Sequence, residues 1–354
     1  MSVTSDETLP AKRRSRGTGR VLIEDVARIA NVSTQTVSRF FRAPSLVAEA
    51  TGNVIREAVV ATGYVPNLIA GSLASNRSQV VAILVPTIAN PVHAAPVEGL
   101  ATVLRSHGYQ VLLGSTGYDA ETEQDLIATF LGRRVDGLII TGISVLPAAR
   151  RMIEAAGIPV VQIWELPDDP IDMAVGFSNF ETGVQIAEHL AERGYRRTVV
   201  IAHAAVVDTR SAARVAGFKA ASARLGLREA PVIKVDRTTS VQGFDILDRL
   251  FDVDSRLDSI FAVSDQVAIG VLLACQSRGI RLPETLGIVG FGDIEIAAQL
   301  TPTLTTVRIN RYRLGELAGE MLLRRFQGLE VSEPVVDIGF DFVVRDSTPN
   351  RQMR

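Results

Sequence analysis

Residues 22–42 read Leu-Ile-Glu-Asp-Val-Ala-Arg-Ile-Ala-Asn-Val-Ser-Thr-Gln-Thr-Val-Ser-Arg-Phe-Phe-Arg. This spacing predicts two short amphipathic helices joined by a tight turn, the layout of a helix-turn-helix. Ile23, Val26, Ala27 and Ala30 fall at i, i+3, i+4 and i+7 and form one apolar stripe, with Glu24, Asp25 and Arg28 outside it. Asn31 stands at the turn, where a left-handed backbone is needed and asparagine tolerates one. Ser33 is of the type that caps the next helix. In that helix Val37, Phe40 and Phe41 face inward, which leaves Thr34, Gln35, Ser38 and Arg39 on the outer face near its N-terminus. Gln and Arg are the side chains that pair with adenine N6/N7 and guanine O6/N7 in the major groove. The bland alternative for the segment is an ordinary surface helix.

The charge distribution favours the first reading. Through residue 66 there are nine Lys or Arg against six Asp or Glu, and beyond it 28 against 33, so only the N-terminal part is suited to a polyanion. Lys12, Arg13, Arg14, Arg16 and Arg20 lie among Ser, Thr and Gly, and residues 1–19 are expected to be a disordered basic arm. A third helix is expected at about 48–61. Gly63 and Pro66 then stop it, closing a headpiece of residues 20–66. Residues 67–78 read as a linker able to become helical.

From residue 79 onward, strand-like apolar runs at 80–85, 110–114, 137–140, 159–163, 198–202, 231–235, 259–263 and 287–290 alternate with amphipathic helices. Such alternation specifies parallel sheets covered by helices on both faces. The runs are too many for one sheet and the pattern restarts near Gly194, so two doubly wound α/β lobes with a cleft between them are expected over 79–345, with 346–354 a tail. Clefts of this kind take small polar ligands at the carboxyl ends of the strands. The single cysteine, Cys275, lies in an apolar helical stretch and reads as a core residue. No apolar run reaches the roughly 18 residues of a membrane span, and no secretory signal is evident, so a cytoplasmic, nucleoid-associated protein without membrane partners is expected.

Taken together, these segments resemble the lactose/galactose repressor family of bacterial transcription regulators, across residues 20 to about 345. The likeness rests on the stretch from Ile23 to Arg39, on Gly-Tyr-Val-Pro-Asn at 63–67, and on Phe-Ala-Val-Ser-Asp-Gln-Val-Ala-Ile-Gly at 261–270. Within the family, 171–181 and 336–340 are most similar to gluconate-utilisation repressors. The resemblance implies a helix-turn-helix headpiece, a two-lobed effector domain like that of periplasmic binding proteins, and a homodimer on a near-palindromic double-stranded operator. It implies that Thr34, Gln35 and Arg39 read bases and that Asn67 to Ala74 forms a hinge helix, with Leu73 a minor-groove wedge. Two departures stand out. Leu22 replaces a usual Thr before the first helix, and Leu68 replaces a common hinge Arg.

For the effector, a sugar or sugar acid, the resemblance points to Arg214, Asp265, and the region of Trp164 and Phe177. Asp265 would accept from paired hydroxyls, Arg214 would donate in fork geometry, and an aromatic face would cover a sugar. A solvated surface ion pair is the alternative for Arg214 and Asp265. Asn90 and His93, in Asn-Pro-Val-His after the first strand, open toward the cleft; a neutral structural histidine is the leading alternative for His93, yet Arg214 with His93 and the nearby helix N-terminus makes an acidic effector attractive. A periplasmic-type receptor without a regulatory role shares the two-lobe core but has no use for residues 22–61. An enzyme is not expected: Gly290-Phe291-Gly292 lacks a third glycine, no Walker-type loop or metal-spaced His/Cys motif occurs, and no cofactor or metal is called for. The C-terminal end lacks leucine heptads, which favours a dimer over a tetramer.

Overall fold

The structure is a computed structural model that describes residues 21–66, 77–143 and 145–351. The basic arm to Arg20, and Asn67, Leu68 and Leu73 of the expected hinge, lie outside the described residues. The chain divides into two compact units, Met1–Ser78 and Gln79–Arg354.

In the first unit, α1 (Ile23–Ile29), α2 (Thr34–Arg42) and α3 (Glu49–Thr62) pack around Val26, Ala27, Ala30, Val37, Ile55 and Ala58. Asn31 takes a φ of 49°, the left-handed turn expected of it. Gly63 caps α3 with a φ of 66°. The apolar stripe of α1 therefore meets Val37 of α2 at the bottom of a small three-helix core, and the outer face of α2 is free to carry polar residues.

The second unit begins with β1 (Val80–Val85), α4 (Ala94–Arg105), β2 (Gln110–Ser115), α5 (Ala120–Gly132), β3 (Gly137–Thr141), α6 (Pro147–Ala156), β4 (Val160–Ile163) and β5 (Met173–Gly176). It continues with α7 (Asn179–Glu192), β6 (Thr198–His203), α8 (Thr209–Arg224), β7 (Val232–Val235), α9 (Ser240–Asp245), α10 (Leu247–Val253), β8 (Ser259–Ala262), α11 (Asp265–Ser277), β9 (Gly287–Val289) and β10 (Thr306–Arg308). Last come α12 (Arg311–Phe326), β11 (Val335–Asp337) and β12 (Asp341–Val343). One parallel sheet has the order β11-β5-β4-β3-β1-β2 and the other β7-β6-β8-β9, while β10 and β12 form an antiparallel pair. The central strands β1, β3, β4, β6 and β8 are buried almost throughout, as strands with helices on both faces must be.

The chain passes between lobes three times. The second lobe starts before α7, earlier than the expected restart near Gly194, because α7 packs along α8. After β10, α12 returns to the first lobe, where Phe326 stacks on Tyr109 with ring centroids 4.7 Å apart, and β11 adds an edge strand beside β5. The chain then goes back for β12. Strand β5, only four residues long, and the short β10, β11 and β12 carry too little periodicity to stand out in the sequence.

The expected tail at 346–354 starts too early. Ser347 and Thr348 are fully buried, with Ser347 Oγ donating to the Ile288 carbonyl and the Thr348 hydroxyl 2.8 Å from His189 Nε2. These polar residues of the expected tail satisfy buried backbone and imidazole groups. Cys275 is buried in the second lobe's core, as expected. No helix among the described residues is long and apolar enough to cross a membrane.

Candidate functional site

Two sites are built by the two units. On α2, the Ser33 hydroxyl accepts from the Thr36 amide at 3.1 Å and fixes the helix start. Val37 is buried, while Phe40 and Phe41 are half-buried, with Phe41 set against Tyr64 at 6.0 Å. That packing turns Thr34, Gln35 and Arg39 fully outward and leaves Ser38 half-exposed beside them. The three expected base readers, with Ser38 beside them, thus share one solvent-facing surface on the first turns of a helix, the part of a recognition helix that enters a major groove in helix-turn-helix proteins. At the foot of α1, Leu22 has no side-chain cap to offer. The Asp25 carboxylate compensates by accepting from the Leu22 amide at 3.1 Å.

In the second unit, the carboxyl ends of the strands face one another across the lobes and enclose a pocket of about 460 Å³, counting its mouth. Asn90, His93 and Trp164 line it from the first lobe, and Arg214 from the second. Asn90 caps the turn that carries His93, its side-chain oxygen accepting from the Val92 amide at 3.1 Å. The His93 ring meets Trp164 edge-on at 5.8 Å. Burial, reinforced by Arg210, pushes the His93 pKa down to about 3, so the imidazole is neutral and its Nδ1 is buried without a partner.

Arg214 is 5% exposed and lies over the Phe291 ring, 3.9 Å from its centroid. It donates from Nη1 to the Asn179 side chain and from Nη2 to the Val263 carbonyl at 3.4 Å, and its Nε has no partner. It makes no ion pair among the described residues. Burial pulls its pKa down to about 10, offset only in part by Asp208. A buried guanidinium compensated only in part is costly, and an anion placed against it lowers that cost.

Asp265 and Phe177 do not line the pocket. Both oxygens of the Asp265 carboxylate are taken internally, one by the Thr306 hydroxyl at 2.6 Å and the other by the Ile294 amide at 2.9 Å. Burial lifts its pKa to about 6. Its neighbour Ser264 reaches the pocket instead, because Asp265 points back to fasten α11 to β10. Phe177 sits behind the wall, edge-on to Trp164 at 6.2 Å and stacked on Phe291 at 6.1 Å. Neither Arg214 nor Asp265 is the surface pair that was the alternative.

Sequence reasoning missed Tyr118, Asp208, Arg210 and Thr238, all on the pocket wall. Arg210 was recoverable, since it lies one turn before Arg214 and shares its helix face. It pairs with Asp208 at 3.2 Å. Burial works against its charge, but Asp208, Tyr118, Glu165 and Glu123 more than offset that and hold its pKa above the ordinary value. Tyr118 stacks on His203 with centroids 4.1 Å apart, a contact between lobes that no local pattern announces.

This architecture has known counterparts. The model of bacterial regulatory proteins of the lacI family matches residues 22–67, and that of the periplasmic binding protein-like domain matches 187–348. Over 350 residues the chain is 37% identical to the HTH-type transcriptional regulator GntR of Pseudomonas aeruginosa, covering 98% of this chain and 100% of that one. The chain belongs to the lacI family. It is a DNA-binding transcriptional regulator with a helix-turn-helix headpiece and a two-lobed effector domain. Among solved structures, a LacI-family regulator from Silicibacter pomeroyi matches with a TM-score of 0.87 and 30% identity, covering 93% of this chain and 99% of that one. The lac repressor dimer bound to operator and the anti-inducer ONPF matches with a TM-score of 0.76 over 93% of this chain and 99% of that one, and at 24% identity shows the shared fold.

Proposed function

We propose that this lacI-family regulator represses its target genes by holding a near-palindromic operator as a homodimer, and releases it when a small sugar acid, gluconate first among the candidates, fills the cavity between the lobes. In this reading Thr34, Gln35, Ser38 and Arg39 read base edges, and Asn67 and Leu73 act at the operator centre. Asn90, His93, Trp164 and Arg214 contact the effector, with Tyr118, Arg210, Thr238 and Ser264 added to that set, while Asp265 and Phe177 brace the wall.

The observation that carries the acidic effector is Arg214: a buried guanidinium on the cavity wall that has, among the described residues, no carboxylate partner and no hydrogen bond to its Nε. A carboxylate satisfies it with charge-assisted hydrogen bonds, whereas a neutral sugar leaves the charge uncompensated. Neutral His93 offers a donor or acceptor to a ligand hydroxyl without adding a second cation. The ligand regulates by binding one arrangement of the lobes better than the other, a coupling of about 1–3 kcal/mol in typical cases. The cavity is read as a binding site, not a site of turnover.

The test is selection of genomic DNA fragments by the purified protein with and without gluconate. Near-palindromic sites released by gluconate but not by glucose support the reading. Equal release by both ligands sinks the acidic effector, and the absence of enriched sites without ligand sinks release as the direction of control.

A further inference from the structure

Beside the effector cavity, a second set of contacts joins the two lobes directly. Immediately after β4, Trp164 takes a φ of 79°, a left-handed conformation costly for a tryptophan. It turns the indole to the cavity wall, and the next residue, Glu165, meets the opposite lobe. There Glu165 Oε2 accepts from the hydroxyl of Thr209, the first residue of α8, at 2.7 Å. The following residue, Arg210, donates from Nη1 to the Thr141 carbonyl at the end of β3, at 3.2 Å.

The surroundings are shaped to these groups. Gly142 has a φ of 98°, and a Cβ on it would stand 2.6 Å from Arg210 Nη1 and 3.2 Å from Glu165 Oε2. At Gly176 a Cβ would run into the Glu165 backbone. A carboxylate at the start of a helix and beside a guanidinium is electrostatically well placed. Burial nonetheless raises its pKa, against the pull of Arg210 and of the Thr209 hydrogen bond.

We infer that Glu165 is a positioning residue of the effector response: docked on Thr209 at the start of α8, it ties the turn that carries Trp164 to the second lobe, so that placement of the indole and closure of the lobes change together. This rests on reading the cavity as the effector site. An effector touching Trp164 then stabilises the closed arrangement through its neighbour, and loss of the Glu165–Thr209 bond loosens closure before any ligand is added.

Trp164 is the only tryptophan, so its fluorescence reports on this turn alone. The experiment compares acrylamide quenching of the full-length, ligand-free wild type with Thr209→Val, which keeps the shape and removes the hydroxyl, and with Thr209→Ser, which restores it. Quenching is expected to rise about twofold or more in T209V and to return to the wild-type value in T209S, with thermal midpoints of all three within a few degrees. Gluconate affinity is expected to fall about tenfold in T209V only. Equal quenching in wild type and T209V overturns the inference, as does a rise shared by T209S. If quenching follows the expected pattern but gluconate alters none of the three, the latch stands and the choice of ligand is what fails.

Discussion

The outer face of α2 and the wall of the interlobe cavity both carry an arginine, yet hold it by opposite means. Arg39 stands in solvent on a helix whose inner face alone is packed, so its position follows from a 3.6-residue period and one N-cap. Arg214 is buried and stacked on Phe291, between groups from Asn179 and Val263 that are 35 and 49 residues away in sequence. An exposed charge keeps its hydration until the partner arrives, whereas a buried one is stripped of it during folding. The first arrangement suits a polyanion met over a broad surface, and the second a small ligand that must bring its own compensation.

The sharpest break of this contrast is Arg214→Met. The substitution fills similar space and removes an uncompensated buried cation, so fold stability is expected to hold or rise. Affinity for the acidic effector is expected to fall about a hundredfold or more, roughly 3 kcal/mol, with operator binding unchanged. Calorimetric titration with gluconate beside operator titration checks both halves. A variant that still responds to the acid within tenfold of wild type removes Arg214 from the site.

The same contrast explains what the sequence discloses. Ser33, Asn31, Val37 and the outward set of α2 were readable because helix periodicity and capping act over a few residues. The parallel lobes were readable from alternation, since doubly buried strands must be apolar throughout. Asp265, to which the family resemblance pointed, turns away from the pocket because its carboxylate is held by Thr306 and Ile294, 41 and 29 residues later in the chain, which no local pattern discloses. Tyr118 and Asp208 lie in loops at strand ends, and only the crossing of the chain between lobes brings them together. The return of α12 was equally invisible, because an amphipathic helix does not say which sheet it will cover.

Asp265 sharpens the comparison from the stability side. Its pKa is raised from 3.8 to about 6, so the protonated form is the one favoured by folding. The stability this confers is fully present below about pH 3.8 and is lost as pH rises through about 6, an effect of about 3 kcal/mol. Histidines His93 and His189 run the other way, with pKa values lowered to about 3 and about 4, and their contribution is lost as pH falls below 6.5. Because wild type and Asp265→Asn share those histidines, the difference between the two proteins isolates the carboxyl. D265N is expected to gain on wild type steadily from pH 4 to pH 6 in denaturant unfolding, its amide accepting from Ile294 and donating to Thr306. A pH-independent difference would mean that Asp265 titrates normally.

A smaller effect is expected where the charge is exposed. Arg39→Ala should cost about 1–3 kcal/mol in operator binding, concentrated at one base pair of each half-site, and leave gluconate affinity as it is. Titration of operators substituted base by base at fixed salt distinguishes this from a phosphate contact, whose loss weakens all sequences alike. Uniform weakening would move Arg39 from reading bases to gripping the backbone.

The smallest effect lies at the entrance to α1. Leu22 is 47% exposed at a capping position, and only one half of a reciprocal cap is present, the Asp25 carboxylate accepting from the Leu22 amide. A leucine side chain has no acceptor to return to the Asp25 amide, which bonds the Leu22 carbonyl at 3.1 Å instead. Leu22→Thr supplies that acceptor and removes an apolar side chain from water. It is expected to stabilise α1 by about 0.5–1 kcal/mol, read as slower amide hydrogen exchange in α1 of the full-length protein, with exchange around the cavity unchanged. Because the site touches solvent, the gain needs no rearrangement elsewhere. Unchanged exchange in α1 would show that Asp25 alone already satisfies the helix start, and that a solvent-exposed helix end absorbs the loss of a cap without cost.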